Sequence, residues 1–368
     1  MEGIQNQTLN TIGVLIGDEP GLGKTIQAIG VINADPTIKN VLIVCPASLQ
    51  LNWKREIERW CVRELEYLQI TSWDMVKKQR AMIDSMPFDL VVVDEAHYGK
   101  NPESQRSKAV YGAPAKGKGE KRKPEDLGIQ GRRKLALTGT PIPNRPKEIH
   151  PCLRWLHPGE FGNFWPFGIR YCAGHQGDWG WDFDGASNLD ELQNRLRGTV
   201  MVRRLKEDVL TELPAKRRQI ILLDASAVAH EIAEENKAYE EQVDDLDGEI
   251  EVSFAGMSQF RHQTAVAKIP QVVEHVKDVL DGGTGKLVVF CHHHDVVYGL
   301  QGALAEYGTA TLTGETSLKD RQEAVDRFQK DPSCRVFIGS ITAAGVGISL
   351  TAASHVVFGE LDFVPGNV

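Results

Sequence analysis

Short apolar runs recur along this chain at lengths that suit β-strands, and the stretches between them carry the wider spacing of amphipathic helices. Gly13-Val14-Leu15-Ile16, Val41-Leu42-Ile43-Val44, Asp89-Leu90-Val91-Val92-Val93 and Lys134-Leu135-Ala136-Leu137 are such runs in the first part. Each runs into polar, small or turn-forming residues: a glycine-rich loop, Cys45-Pro46, Asp94 and Thr138. Apolar strands alternating with helices predict an open, parallel α/β sheet, and the residues just past the strands mark its carboxyl edge, where such sheets bind ligands. Thr25 to Asn33 reads as the helix that follows the first strand. The rhythm resumes at Leu287-Val288-Val289-Phe290, Ala310-Thr311-Leu312, Arg335-Val336-Phe337-Ile338 and His355-Val356-Val357-Phe358. Between the two series, 150–185 is dense in Trp, Phe and Gly, while 186–245 reads as mainly helical and charged. The expected organisation is an α/β lobe over 1–150, a helical insertion and linker over 151–264, and a second α/β lobe over 265–368.

Composition narrows this only modestly. A chain of 368 residues is long enough for two separate cores. Its formal charge of −8 means that any nucleic-acid contact must come from local basic patches, not from the mean field. Six widely spaced cysteines without a C-x-x-C pair argue against a zinc ribbon or a disulfide framework and fit a reduced compartment. With no signal peptide in view and no apolar run near the ~18 residues of a membrane span, the expectation is a soluble intracellular protein with no membrane partner.

The densest chemistry lies in Asp18-Glu19-Pro20-Gly21-Leu22-Gly23-Lys24-Thr25, where a strand turns into a helix. Glycines at 21 and 23 let backbone N–H groups close around phosphate oxygens, and a helix N-terminus adds partial positive charge. Lys24 would reach the β and γ phosphates, and Thr25 would hold Mg²⁺ through its hydroxyl. Asp18 stands where the usual motif has its first glycine, so the run by itself also reads as an ordinary tight turn. A second signal decides between them: the apolar strand Val91-Val92-Val93 leads into Asp94-Glu95-Ala96-His97. Asp94 would hold Mg²⁺, Glu95 would orient and deprotonate an attacking water, and His97 would report the nucleotide state. ATP and Mg²⁺ are the expected ligands, with Lys24, Asp94, Glu95 and His97 as the catalytic set.

With these motifs in hand, the chain resembles the Swi/Snf-type ATPases of helicase superfamily two over nearly its whole length. Asp18 to Thr25, with its glycines and Leu22, is similar to that family's phosphate loop, which accounts for Asp18. Val44-Cys45-Pro46-Ala47-Ser48-Leu49 with Asn52-Trp53, Ile70-Thr71-Ser72-Trp73-Asp74 and Leu137-Thr138-Gly139-Thr140-Pro141 resemble successive further motifs. So do Val289-Phe290-Cys291-His292-His293 and Ile341-Thr342-Ala343-Ala344-Gly345-Val346-Gly347. Arg170-Tyr171-Cys172, Trp179-Gly180-Trp181, Ser187-Asn188-Leu189, Met201 to Lys206 and Arg261 to Lys268 resemble the HARP-like annealing-helicase branch. The resemblance implies two RecA-like lobes with ATP between them, Gly345 and Gly347 completing the nucleotide site, and double-stranded or forked DNA as the partner. It implies DNA contacts at Pro46, Ser48, Thr71, Ser72, Thr138, Thr140, His292 and Thr342. It also implies a cytoplasmic protein in a bacterium or virus, or a nuclear one in a eukaryote.

Other residues leave their readings open. The strand-end hydroxyls at Ser48, Thr71, Ser72, Thr138 and Thr140 suit phosphate contacts or turn caps equally. Arg203-Arg204-Leu205-Lys206 reads as a DNA-backbone clamp or as a brace between lobes. The Lys116 to Lys134 stretch brushes DNA or is merely solvated, and Trp165, Trp179 and Trp181 stack on bases or pack the insertion. His292-His293-His294 is a poor metal site, because adjacent side chains past a strand diverge. Against the family pattern, the upstream glutamine motif and the downstream Q-x-x-x-R-x-x-R arginine motif are missing from this sequence. The expectation is a truncated motor, or one completed by a further segment or a protein partner, with weak turnover by itself. A catalytically weak DNA-binding scaffold and a strand-separating or restriction-type motor subunit are the alternatives.

Overall fold

The computed structural model describes residues 13–114, 126–177, 180–212, 216–223, 229, 233, 254–344 and 348–361. The chain forms two compact units, Met1–Ala215 and Lys216–Val368.

The first unit is built on a six-stranded parallel sheet in the order β3-β2-β4-β5-β1-β8. Its strands are β1 (Gly13–Ile16), β2 (Asn40–Cys45), β3 (Tyr67–Ser72), β4 (Leu90–Val93), β5 (Arg133–Leu137) and β8 (Met201–Val202). Successive residues of a strand point to opposite faces, and both faces here are apolar. Val14, Ile16, Ile43, Val92 and Leu137 pack against helices α1 (Lys24–Ala34) and α2 (Gln50–Trp60). Leu15, Val44, Val91, Val93 and Ala136 pack on the other face. There they meet α3 (Val76–Ser85), α4 (Gln105–Tyr111) and α5 (His150–Leu156). Every parallel crossover therefore returns its chain to the same edge, which gathers the loops after β1, β2, β3, β4 and β5 on one side of the unit.

The predicted strands all form, with ends shifted by a residue or two. β3 and β8 were not expected from the pattern of apolar runs. Tyr67 to Ile70 are only half-buried, so β3 lacks the continuous apolar signature of its neighbours. β8 is two residues long, too short to show a period.

The aromatic stretch forms α6 (Phe164–Tyr171) and an antiparallel hairpin of β6 (His175–Gly177) and β7 (Gly180–Asp182), followed by α7 (Leu189–Thr199). Trp165 and Trp181 meet edge to face at 4.7 Å over Phe183, and each stays about half exposed. Trp179 lies outside the described residues. The helical expectation for 186–245 holds for α7 and the short α8 (Lys206–Val209); 216–223 carries neither helix nor strand. Lys134 departs from the solvated or DNA-facing readings: its ammonium is buried and donates to the Trp155 carbonyl at 3.0 Å.

The second unit holds a four-stranded parallel sheet in the order β10-β11-β9-β12. These are β9 (Leu287–Cys291), β10 (Thr309–Leu312), β11 (Val336–Ser340) and β12 (His355–Phe358). Helices α9 (Phe254–Ala267), α10 (Ile269–Asp281), α11 (His294–Ala303), α12 (Leu318–Lys330) and α13 (Ile341–Ala344) accompany the strands. Among the described residues, no helix is long and apolar enough to cross a membrane.

Candidate nucleotide site

The loop after β1 has the backbone that the sequence calls for. Gly21 and Gly23 take φ of +89° and +73°, a region in which a Cβ is strained. Gly23 is also the residue that starts α1, and no side chain caps that end. A Cβ built on Gly23 would meet nothing within 4 Å. The start of α1 thus has open space at Gly23 and no side-chain acceptor of its own, a place where an anionic phosphate can be received.

Lys24 lies across the loop, its ammonium donating to the carbonyls of Asp18 at 2.9 Å and Glu19 at 3.3 Å. Burial pushes its pKa below the ordinary lysine value, and the carboxylates of Glu95, Asp94 and Asp18 offset part of that. The Thr138-Gly139 turn after β5 packs directly on the loop. A Cβ on Gly139 would come within 2.8 Å of Pro20 and 3.5 Å of the Lys24 ammonium. β5 lies between β1 and β4, so this contact follows from strand order alone.

Asp94 is held by two tryptophans. Its Oδ2 accepts the Trp53 indole N–H at 2.8 Å, and its backbone carbonyl accepts the Trp73 indole N–H at 2.9 Å. Burial raises its pKa above the ordinary carboxylate range; the bonds from Trp53 and the Glu95 amide work the other way. Glu95 adopts φ of +48°, a left-handed conformation that a non-glycine residue rarely keeps without a reason. Burial, and then the neighbouring Asp94 charge, raise its pKa to about 7, with Lys24 opposing. His97 Nδ1 lies 3.3 Å from the Glu95 carboxylate and 3.0 Å from the Thr138 hydroxyl. Burial and the Lys100 charge lower its pKa to about 4, so His97 is neutral at physiological pH. Thr138 Oγ1 in turn accepts the Thr140 N–H at 3.1 Å.

The carboxylate of Asp18 does not face the loop's open side. It is fully buried and pairs with Arg204 and Gln27. Trp53, Gln27 and Arg204 are therefore site residues that the motifs did not assign. Trp53 stands inside one of those motifs, but nothing in the spacing says that its indole reaches Asp94.

The remaining expected contact residues are dispersed. Pro46 is buried and Ser48 half-buried. Thr71 and Ser72 are buried, and the Thr71 hydroxyl is committed to Gln79 at 2.7 Å. Thr138 is also buried, whereas Thr140 is exposed. In the second unit, His292 is half-buried after β9, its backbone N–H donating to Glu360 at 2.8 Å, and Thr342 is exposed at the start of α13. Gly345 and Gly347 lie outside the described residues. Among the described residues, no group of three or more His, Cys, Asp or Glu side chains is placed to hold a metal ion.

The chain has recognisable relatives. The SNF2-related domain model matches residues 4–69 and 66–271, and the helicase conserved C-terminal domain model matches 268–368. The chain belongs to the SNF2-related family of helicase-like ATPases. It is 36% identical to the human "DNA annealing helicase and endonuclease ZRANB3" over 96% of this chain and 34% of that protein. It is 32% identical to the Xenopus tropicalis "SWI/SNF-related matrix-associated actin-dependent regulator of chromatin subfamily A-like protein 1" over 96% of this chain and 38% of that one. This SNF2-related chain thus spans about a third of the length of these curated relatives. It also aligns with the solved "Sulfolobus solfataricus SWI2/SNF2 ATPase core in complex with dsDNA" at 21% identity and a TM-score of 0.47, over 98% of this chain and 80% of that one.

Proposed function

We propose that this chain is an ATP-hydrolysing motor core that tracks on double-stranded or forked DNA, of the annealing-helicase kind named in its relatives. The observation that carries the reading is the convergence around Lys24. An uncapped helix start lies beside a largely desolvated lysine whose charge is favoured by Glu95 and Asp94, all at one sheet edge.

In this reading the N–H groups of 21–25 and the Lys24 ammonium receive the β and γ phosphates of ATP. Lys24 leaves the carbonyls of Asp18 and Glu19, which hold it in reserve across the loop. Thr25 and Asp94 are the residues that would hold magnesium; the two tryptophan N–H bonds keep Asp94 in one orientation. Magnesium, when bound, neutralises charge that develops on the phosphates. Glu95 orients the attacking water and takes its proton, a role that suits a carboxylate whose pKa lies near 7. His97 then joins Glu95 to Thr138 and, through it, to exposed Thr140. That short relay links the hydrolytic end of the site to a surface where a DNA phosphate would be felt.

The test is ATP turnover by the purified chain, alone, with duplex and with forked DNA, for the wild type and Lys24→Ala. Weak turnover that DNA stimulates and Lys24→Ala abolishes is the expected result. Turnover that is the same in both proteins would overturn the assignment, and turnover indifferent to DNA would overturn the partner.

A further inference from the structure

We propose that Arg204 is a positioning residue of the nucleotide site, acting through Asp18 and Gln27 to hold the phosphate loop in its binding shape. The proposal rests on the ATP reading above and adds to it a component from the far end of the first unit. Residues 200–206 run beside β1 and continue past it along the loop. Leu15 N–H donates to Val200 O at 2.8 Å, Gly17 N–H to Val202 O at 2.8 Å and Glu19 N–H to Arg204 O at 3.2 Å. A sheet edge thereby extends into what would otherwise be a free turn.

At the end of this ladder sits a buried carboxylate. Asp18 Oδ1 accepts the Arg204 backbone N–H at 2.8 Å, and Oδ2 accepts the guanidinium Nε at 3.0 Å. The second guanidinium nitrogen bonds both Asp18 and Gln27 Oε1. Gln27 completes the network by donating to Asp18 Oδ2 at 2.9 Å and to the Leu22 carbonyl at 2.8 Å. Arg204 therefore acts on the loop at two points: directly on Asp18, where it leaves the strand, and through Gln27 on Leu22, between the two left-handed glycines. The Asp18 carbonyl is also the acceptor that parks Lys24. Burial works to raise the Asp18 pKa, but the bonds from Arg204 and Gln27 together hold the carboxyl below its ordinary value, so it remains ionised. A forked guanidinium fits this geometry and a lysine ammonium does not, because only the fork serves the carboxylate and the amide together.

The segment contributes beyond Arg204. The Lys206 N–H donates to Glu19 at 2.6 Å, and its side chain lies 3.6 Å from the place a Cβ on Gly21 would occupy. Arg204 Nε and one terminal nitrogen are engaged by Asp18 and Gln27, which accounts for the residue without a clamp on DNA or a brace between lobes.

The experiment compares the wild type with Arg204→Ala, Arg204→Lys and Gln27→Leu, using Lys24→Ala as the reference for a lost site. It measures the Kd of a fluorescent ATP analogue, kcat and KM for ATP with duplex DNA, and the melting temperature of each protein. Loss of positioning by fractions of an ångström should raise Kd and KM on the order of 10-fold to 100-fold in Arg204→Ala, with a smaller rise in Arg204→Lys. Gln27→Leu leaves the ion pair in place but frees Leu22. Its Kd and KM should rise while its melting temperature changes little, which a purely structural role would not produce. Folded Arg204→Ala with wild-type Kd and KM overturns the proposal. If Arg204→Ala fails to fold, an unchanged Kd in Gln27→Leu overturns it instead. Nucleotide binding that survives in Lys24→Ala overturns the ATP reading itself, a separate failure.

Discussion

Replacing Glu95 by glutamine tests the catalytic assignment and the electrostatics of the site in one protein. In the native state its carboxyl has a pKa of about 7 in place of 4.5, because it is buried beside Asp94. Its side chain is 23% exposed, so solvent screens it only in part. Linkage at ~1.4 kcal/mol per pH unit sets a ceiling of roughly 3 kcal/mol on the cost of ionising it in the fold. Sharing of that cost with Asp94 and the remaining solvent contact bring the expected figure to about 2 kcal/mol. The sign follows from which state holds the proton. Below the unfolded value of 4.5 both states are protonated and the site costs nothing. Between 4.5 and about 7 the unfolded chain ionises while the native state keeps its proton, so wild-type stability falls as pH rises. Above about 7 both states are ionised and the whole penalty applies. Glutamine does not titrate. Glu95→Gln should therefore match the wild type near pH 4.5 and exceed it at pH 8, by roughly 4–8 °C in melting temperature for a unit of this size. The measurement is thermal melting across pH 4.5–8 in the absence of nucleotide and magnesium. ATP turnover should fall on the order of 10²-fold to 10⁴-fold in the same protein. A stability difference that does not change with pH refutes the electrostatic account, and retained turnover refutes the role as base.

Two further changes probe other parts of the first unit. Trp53→Phe removes the indole donor to Asp94 Oδ2 and leaves a buried carboxylate short of a partner, costing about 1–3 kcal/mol; denaturant melting should register that loss, and the magnesium concentration for half-maximal turnover should rise. Lys134 has its pKa lowered to about 8 by burial, so the unfolded chain holds the extra proton between pH 8 and 10.5 and wild-type stability should rise across that window. Lys134→Met, which cannot titrate, should be at least as stable as the wild type at pH 7 and should lose that advantage by pH 10.5.

The parts of the site that were legible in the sequence are those whose chemistry is local. A strand ending in Asp94-Glu95 puts two carboxylates at a sheet edge whatever surrounds them, and Gly21-x-Gly23-Lys24-Thr25 specifies its own turn. The illegible parts depend on where distant segments land. Thr71 lies near the end of β3 and Thr140 past the end of β5, yet one hydroxyl is spent on Gln79 and the other side chain is exposed. Only the packing of α3 against β3 decides between them. Trp53 and Trp73 sit in loops and helices after different strands, and their convergence on Asp94 requires β2, β3 and β4 to be neighbours. The positive φ of Glu95 has no signature at all, because glutamate carries no conformational bias toward it.

Asp18 shows the same division within one residue. A glycine there would leave the loop's shape to local backbone preferences and would need nothing from elsewhere in the chain. A fully buried aspartate is costly unless it is paired, so its position at the base of the loop demands a cation. The local sequence offers Lys24, but that ammonium goes to the Asp18 carbonyl and not to its carboxylate. The partner is Arg204, 186 residues away, brought there by a strand of two residues. Because the loop takes its anchor from the segment that follows β8, its shape depends on β8 remaining docked on β1. A change that peels β8 away should thus weaken nucleotide binding even though every residue of the phosphate loop is intact.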